Sequence, residues 1–293
     1  MVNLGDHWTD QGLLDRSDEH RGSAEWIKSL WYAEDARLIK VTADGLLATN
    51  AEGTRLKMTR PFVEYDVERH ILLGLVDQSP VFVVEAVLDP PVHSLRQVGA
   101  QLDDLERELA TVATSITNYH RLEPMCPGCG GSTHMINGGF SRECRRCQRI
   151  HFPRTDPAVI VAVVDEQDRL LLARDATWGE TRVSVLAGFV ESGESFEQAL
   201  HREIAEEVDI DLAATHYVGS QPWPYPRSIM IGFFARAASS TISVDGSEIV
   251  YADWFTRDQL DTALAEGTVA LPSPASIAHR LITAWREGRT PFS

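Results

Sequence analysis

Cysteine is scarce: the 293 residues hold four, at 126, 129, 144 and 147, and none elsewhere. A scaffold stapled by dispersed disulfides is therefore excluded. Basic residues are short too, 27 Lys and Arg against 43 Asp and Glu, a formal net charge of −16. That balance argues against broad non-specific nucleic-acid binding, which needs a basic surface. No apolar run reaches about 18 residues, so no membrane span is expected. The opening stretch MVNLGDHWTDQGLLDRSDEH is too acidic and polar for a signal peptide, and the terminal Thr290-Pro-Phe-Ser293 carries no retention or peroxisomal signal. The expectation is a cytoplasmic protein without membrane contact, long enough for two or three domains.

What the chain does have is concentrated in three stretches. The first runs from Gly188 to Ile210, GFVESGESFEQALHREIAEEVDI. On a helix Glu203, Glu206 and Glu207 stand three and four residues apart and project together. Carboxylates crowded this way repel unless a cation sits among them, and their hard oxygens suit Mg²⁺ or Mn²⁺. An isolated acidic triplet would read as a solvated helix face. Here Gly188, Glu194 and Arg202 also stand at fixed offsets, and the whole resembles the Nudix box. The one departure is Asp209 where the box has Gly, and Asp tolerates the left-handed conformation of a helix exit.

The second stretch holds all the cysteines: Cys126-Pro-Gly-Cys129 and Cys144-Arg-Arg-Cys147. Two CxxC knuckles at this spacing suit a tetrahedral zinc site, and four thiolates leave no open position for substrate, so a structural role is expected. The alternatives are a redox dithiol pair or unliganded cysteines. So small a segment would draw most of its folding free energy from the metal. Arg142, Arg145, Arg146, Arg149 and Arg154 cluster in it. They read equally as a phosphate-meeting patch or as charge balance around the metal–thiolate centre.

Between and around these stretches the periodicity divides the chain into residues 1–120, an N-terminal domain ending in a connecting helix; 121–153, the zinc ribbon; and 154–293. Ile71 to Leu75 and Val81 to Leu88 read as strands, and no catalytic constellation occurs in the first domain. From about Leu95 to Tyr119 apolar residues recur at helical steps, with Asp103, Asp104, Glu106 and Glu108 on the other face, which predicts one amphipathic helix. Ala158 to Val164, Leu170 to Ala173, Val183 to Ala187, Ile229 to Ala235 and Ile249 to Phe255 read as strands, and Ala275 to Arg286 as a closing helix. The expected class is α+β, a mixed sheet between helices.

The third stretch is Ser220-Gln-Pro-Trp-Pro-Tyr-Pro-Arg-Ser228. Three prolines fix φ at alternate positions, which predicts a stiff extended segment presenting Trp223 and Tyr225. It reads as a proline-rich linker or as a ring-bearing site. The run resembles the SQPWPFPxS motif of the NADH pyrophosphatase subfamily of Nudix enzymes, with Tyr225 for Phe. Together with the ribbon and the box, the resemblance covers roughly residues 95 to 293.

That resemblance implies a Nudix fold and hydrolysis of NADH or NAD⁺ to nicotinamide mononucleotide and AMP. It also implies, for some members, removal of an NAD cap from RNA 5′ ends, and a homodimer. It implies catalytic or metal-holding roles for Glu203, Glu206 and Glu207, metal contacts from Ala187 and Glu248, and an orienting role for Glu194 on Arg202. Along the dinucleotide it places Gln221, Pro222, Trp223, Pro224, Tyr225, Pro226, Arg227 and Ser228. It adds ring stacking by Phe152 and Phe189, a small contact at Ala278 and a phosphate contact at Arg96. Two alternatives stand: a Nudix enzyme for another nucleoside diphosphate derivative, and a non-catalytic zinc-ribbon sensor of nucleotide or RNA.

Overall fold

The computed structural model describes residue 4 and residues 7–292. By contacts the chain forms two compact units. One holds Gln11–Thr155 with Trp223–Arg227; the other holds the residues up to Asp10, Asp156–Pro222 and the chain from Ser228 onward. The boundary expected at 153/154 falls two residues from this division. The ribbon and the N-terminal segment share a unit.

In the ribbon-bearing unit the elements are α1 (Ala24–Trp31), β1 (Arg37–Val41), β2 (Leu47–Ala48), β3 (Ile71–Val76), β4 (Ser79–Glu85), β5 (Val92–His93), α2 (Leu95–Val98), α3 (Asp104–Leu122), β6 (Thr133–Ile136), β7 (Ser141–Cys144) and β8 (Ile150–His151). One sheet runs β3-β4-β1-β2-β5 and the ribbon's runs β6-β7-β8. The β3–β4 hairpin turns on Asp77 and Gln78, at φ 49° and 69°, the double left-handed turn that matches strand twist. Ile39, Val41, Val81 and Val83 pack with Leu109, Ala113 and Ile116 of α3.

The single helix expected from Leu95 to Tyr119 is broken. Gly99 ends α2, and Asp103 caps α3 by accepting the Glu106 amide at 2.8 Å. A good N-cap defines a start of its own, which apolar periodicity alone does not register. Glu106 and Glu108, expected on the solvent face, are buried and accept the amides of Leu56 (3.3 Å) and Leu13 (2.8 Å). Unpaired backbone donors drew these carboxylates inward.

In the second unit follow β9 (Asp156–Val164), β10 (Leu170–Asp175), β11 (Leu186–Phe189), α4 (Phe196–Val208), β12 (Leu212–Trp223), β13 (Ser228–Ala237), β14 (Ile249–Phe255), α5 (Arg257–Glu266) and α6 (Ile277–Arg286). The sheet order is β12-β13-β9-β10-β14, with β11 also on β9 and β13 parallel to β9. Alternate residues of β9 enter opposite cores. Ile160, Ala162 and Val164 meet Ile277, Leu281 and Trp285 of α6, while Val159, Val161 and Val163 meet Leu200, Ile204 and Val208 of α4. A strand covered on both faces reads as an unbroken apolar run. The α+β expectation holds: a mixed sheet between helices. No described helix is long and apolar enough to cross a membrane.

Candidate active site and metal centres

The carboxylate helix α4 is fixed at both ends. Ser195 and Gln198 form a reciprocal capping box, and Asp209 closes the helix in the left-handed conformation, φ 57°, its amide on Ala205 O at 3.0 Å. Upstream, β11 delivers Ala187 and Gly188 beside it. A Cβ on Gly188 would lie 1.9 Å from the Glu203 carboxyl carbon. Only glycine admits Glu203 to this position.

Arg202 organises the polar side of α4. Its guanidinium donates to Glu194 Oε1 and Oε2 at 2.7 and 2.8 Å, and to Phe189 O at 2.9 Å. The bidentate pair holds the Glu194 carboxyl down, to about 2, with the Glu191 amide assisting. Arg202 also reaches Glu203 at 2.9 Å and the exposed Glu206 at 3.1 Å. The sequence pointed to the first pairing and gave no sign of the other two.

Glu207 is the anomaly. Its side chain is buried, and Oε2 is enclosed without a hydrogen-bond partner. Burial pushes its carboxyl up to about 8, and the nearby charges of Glu203, Glu248, Asp245 and Asp175 push the same way. Glu203 is raised for the same leading reason, burial, against the pull of Arg202. A buried oxygen without a partner, among carboxylates that repel it, fits a hard divalent cation: coordination would satisfy Oε2 and cancel the repulsion. Glu203, Glu207 and Glu248 are thus within electrostatic reach of one another, with Ala187 on the adjoining strand, whereas Glu206 turns to Arg202.

The cysteines are gathered far more tightly. Their four Sγ atoms lie within 4.8 Å of one another, the one such cluster of metal-ligating atoms among the described residues. Cys126–Cys147 and Cys129–Cys144 sulfurs are 3.7 and 3.5 Å apart. Zinc at about 2.3 Å from each sulfur would set tetrahedral edges of about 3.8 Å. Gly130 and Gln148, one residue past each pair, have φ 69° and 58° and return their amides to Cys126 O and Cys144 O. The amides of Arg146 and Cys147 point at Cys144 Sγ, both at 3.4 Å. Two matched knuckles with N–H groups aimed at sulfur suit thiolates around a metal, and none of the four forms a disulfide.

The proline run is a hairpin turn. β12 extends through Trp223, residues 224–227 turn, and β13 starts at Ser228. This corrects the expected extended segment: strand pairing on both sides forces the reversal. Asn118 Nδ2 donates to Pro224 O and Pro226 O at 3.1 and 3.2 Å, and Arg227 pairs with Glu123. The Trp223 and Tyr225 rings meet edge-on at 5.0 Å, with the Arg96 guanidinium 4.1 Å above Tyr225.

The remaining expected contacts divide by exposure. Phe152 and Phe189 are open rings, 65% and 58% exposed. Phe152 lines a cavity of about 410 Å³ with Tyr119, Ile150 and Arg154. Gln221 and Ala278 turn inward. Gln221 Nε2 donates to Ala275 O at 2.7 Å and Oε1 accepts from the Ile277 amide at 2.6 Å, so its amide clamps the start of α6. Ala278 is buried in the core beneath that helix. Pro224 and Ser228 are buried as well, while Pro222 and Pro226 keep some exposure.

A NUDIX domain model matches residues 154–273. "NAD-capped RNA hydrolase NudC" of Mycobacterium bovis (strain BCG / Pasteur 1173P2) is 35% identical over 288 residues, spanning 92% of this chain and 90% of its own. The protein of the same name from Mycobacterium tuberculosis (strain ATCC 25618 / H37Rv) shows the same identity and coverage. "NAD-capped RNA hydrolase NUDT12" of Homo sapiens is 37% identical over 210 residues, 68% of this chain and 45% of its own. The box, the ribbon and the proline turn thus lie within a likeness that runs nearly end to end, and the chain belongs to the Nudix hydrolases, in the NADH pyrophosphatase subfamily.

Proposed function

We propose that the chain hydrolyses the pyrophosphate of NADH and NAD⁺ to nicotinamide mononucleotide and AMP, and removes the NAD cap from RNA 5′ ends. The observation that carries the reading is Glu207: a buried carboxylate with an unpartnered oxygen, facing the charges of Glu203 and Glu248. Nudix enzymes use divalent metal, and Glu203, Glu207, Glu248 and the Ala187 carbonyl are the groups that would hold it, as Mg²⁺ or Mn²⁺. Bound there, such an ion would neutralise pyrophosphate charge and would make water a nucleophile near neutral pH.

The chain's own groups do the rest. Arg202 holds Glu203 and Glu206 in place while Glu194 fixes Arg202. Glu206, exposed and paired with this cation, accepts a proton from water or helps hold the metal. Phe152 and Phe189 offer open faces for the flat rings of a dinucleotide. Arg96, held over Tyr225 and Trp223, supplies positive charge for phosphate. Gln221 acts by fixing α6 rather than by touching substrate. The cysteines hold one structural Zn²⁺, and thiols kept for a metal suit a reducing, cytoplasmic setting. A homodimer completes the reading.

The test is chromatography of the products from NADH, NAD⁺ and NAD-capped RNA with Mg²⁺ or Mn²⁺. From wild type, nicotinamide mononucleotide (its reduced form from NADH) is expected, with AMP from the free dinucleotides and 5′-monophosphorylated RNA from the capped RNA; none of these is expected from Glu207→Gln. An enzyme that leaves all three intact with both metals, yet cleaves another nucleoside diphosphate derivative, would replace the substrate and keep the chemistry.

A further inference from the structure

The carboxylates of α4 come from one helix and are placed by helical geometry. Glu248 comes from the loop before β14, and something must hold it against them. That loop, residues 243–249, has no helix or strand of its own up to Ser247. It is tied to α4 at two points: the Ser243 amide donates to Val208 O at 3.0 Å and the Asp245 amide to Glu207 O at 3.2 Å. Glu248 O accepts the Ala176 amide at 2.8 Å, which ties the loop to the end of β10.

Within the loop, one side chain collects the donors. Asp245 Oδ2 accepts the amides of Ser247 at 3.1 Å and Glu248 at 2.9 Å, together with the Ser247 hydroxyl; Oδ1 accepts the Ile249 amide at 2.8 Å. The backbone amide of Glu248 is therefore one of the groups held directly by Asp245, and Asp245 itself is bonded to the backbone of Glu207. Its two oxygens are occupied by four donors, which makes it a poor candidate for a metal ligand. It is well placed to fix where Glu248 stands relative to Glu207.

We infer that Asp245 is a positioning residue, which holds the Glu248 backbone against the end of α4 so that Glu248 and Glu207 share one divalent cation. The inference rests on the proposal that these carboxylates bind metal. Asp245 acts through Glu248, so removing it matters only while Glu248 is able to coordinate.

The experiment is a Mn²⁺ titration of the full-length, zinc-loaded protein without substrate, followed by electron paramagnetic resonance, with thermal unfolding as a control for folding. Residues that orient a ligand typically contribute about ten- to a hundredfold to metal affinity. Asp245→Ala is expected to weaken Mn²⁺ binding by about tenfold. Asp245→Asn keeps one acceptor oxygen and should lose less, about fivefold or under. In a Glu248→Gln background, Asp245→Ala should add less than about twofold, because the two changes then act at one point.

An undiminished effect of Asp245→Ala in the Glu248→Gln background would overturn the inference and make Asp245 a ligand in its own right. Unchanged Mn²⁺ affinity in folded Asp245→Ala would overturn it too. If Asp245→Ala does not fold, Asp245→Asn with and without Glu248→Gln decides by the same comparison. Failure of the underlying reading looks different: Glu203→Gln and Glu207→Gln would then bind Mn²⁺ as wild type does. Since no substrate is present, the choice among NADH, NAD⁺ and capped RNA does not enter.

Discussion

Two groups of negatively charged side chains in this molecule are built for cations, and they are built differently. The four sulfurs of the ribbon lie within 4.8 Å of one another, on two matched knuckles. The carboxylates of the second unit are not drawn together in that way. Glu203 and Glu206 lean on Arg202, and Glu207 keeps a buried oxygen without a partner. Soft thiolates on a closed tetrahedron leave a metal no free position, which suits a structural ion. Hard oxygens on a helix and a separate loop leave room for water and a phosphate, which suits chemistry. The first arrangement contributes to stability; the second holds like charges close together and costs stability in return for function.

The sharpest way to break this contrast is Glu207→Gln. Activity on NADH should fall by at least about a thousandfold, since several kcal/mol of charge stabilisation in the transition state is lost. The metal-free protein should become more stable, by about 1–2 kcal/mol, because a neutral amide replaces a carboxyl group buried among other carboxylates. Steady-state kinetics and thermal unfolding in chelator measure the two. A variant that loses activity and stability together would mean that Glu207 holds the fold.

The ribbon should answer in the opposite sense. Cys144→Ser, or removal of zinc by a chelator, should abolish cooperative unfolding of the ribbon, where metal binding is worth about 10 kcal/mol or more. Elemental analysis should find one zinc per chain in wild type. A Cys144→Ser protein that melts as wild type does would refute a structural site. Catalytic defects in that variant should track the fraction unfolded, with Mn²⁺ dependence unchanged in what remains folded.

How much of this was legible in the sequence follows from the range of the interactions. The helix bearing Glu203, Glu206 and Glu207, the two knuckles and the strands at 158–164 and 249–255 depend on near neighbours, and spacing alone found them. What spacing missed depends on partners far along the chain. Gln221 looks like part of a ligand-facing run until Ile277 and Ala275 appear beside it. Glu106 and Glu108 look solvated until the amides of Leu56 and Leu13 come to meet them. The proline run looks extended because proline fixes φ, but the pairing of the strands on either side decides that it turns. Asp175, at the end of β10, and Asp245, in the loop before β14, carry no motif, and only folding brings their charges to Glu207. A residue two before Ser, as in Asp245-Gly-Ser247, is the one local hint of a side chain that caps its own loop.

A smaller effect separates the ribbon from the helix on which it packs. His120 of α3 is bonded on both ring nitrogens: Nε2 donates to Gly139 O at 2.7 Å and Nδ1 accepts from Arg142 at 2.7 Å. Burial above all, with Arg142 assisting, pushes its pKa down from 6.5 to about 4. A native state that refuses a proton the unfolded chain accepts is stabilised above the unfolded pKa. Stability from this group is therefore present in full above about pH 6.5 and is lost as pH falls toward 4, by at most about 3 kcal/mol. Thiolate protonation also destabilises the ribbon in acid, so the check is a difference: denaturant midpoints of wild type and His120→Gln across that window, with zinc content measured at each pH. The His120→Gln curve should be the flatter. Parallel curves would assign the whole acid loss to the cysteines.

The smallest effect tests how far the acidic site extends along α4. Asp209 stands where the family's box has glycine, at φ 57° and exposed. A left-handed conformation is cheaper for glycine than for aspartate, and a negative charge at a helix C-terminus opposes the helix dipole. Asp209→Gly should therefore stabilise the protein by about 0.5–1 kcal/mol, a rise of a few degrees in the thermal midpoint. Asp209→Val should destabilise it by about 1–2 kcal/mol, since a β-branched side chain resists positive φ. Neither change should alter kcat or the Mn²⁺ dependence of the rate. The Asp209 side chain is exposed, whereas Glu207, two residues earlier, is buried among the site's carboxylates. A weaker requirement for Mn²⁺ in Asp209→Gly would show that the charge at 209 belongs to the metal's field, and the aspartate would then be a functional departure rather than a tolerated one.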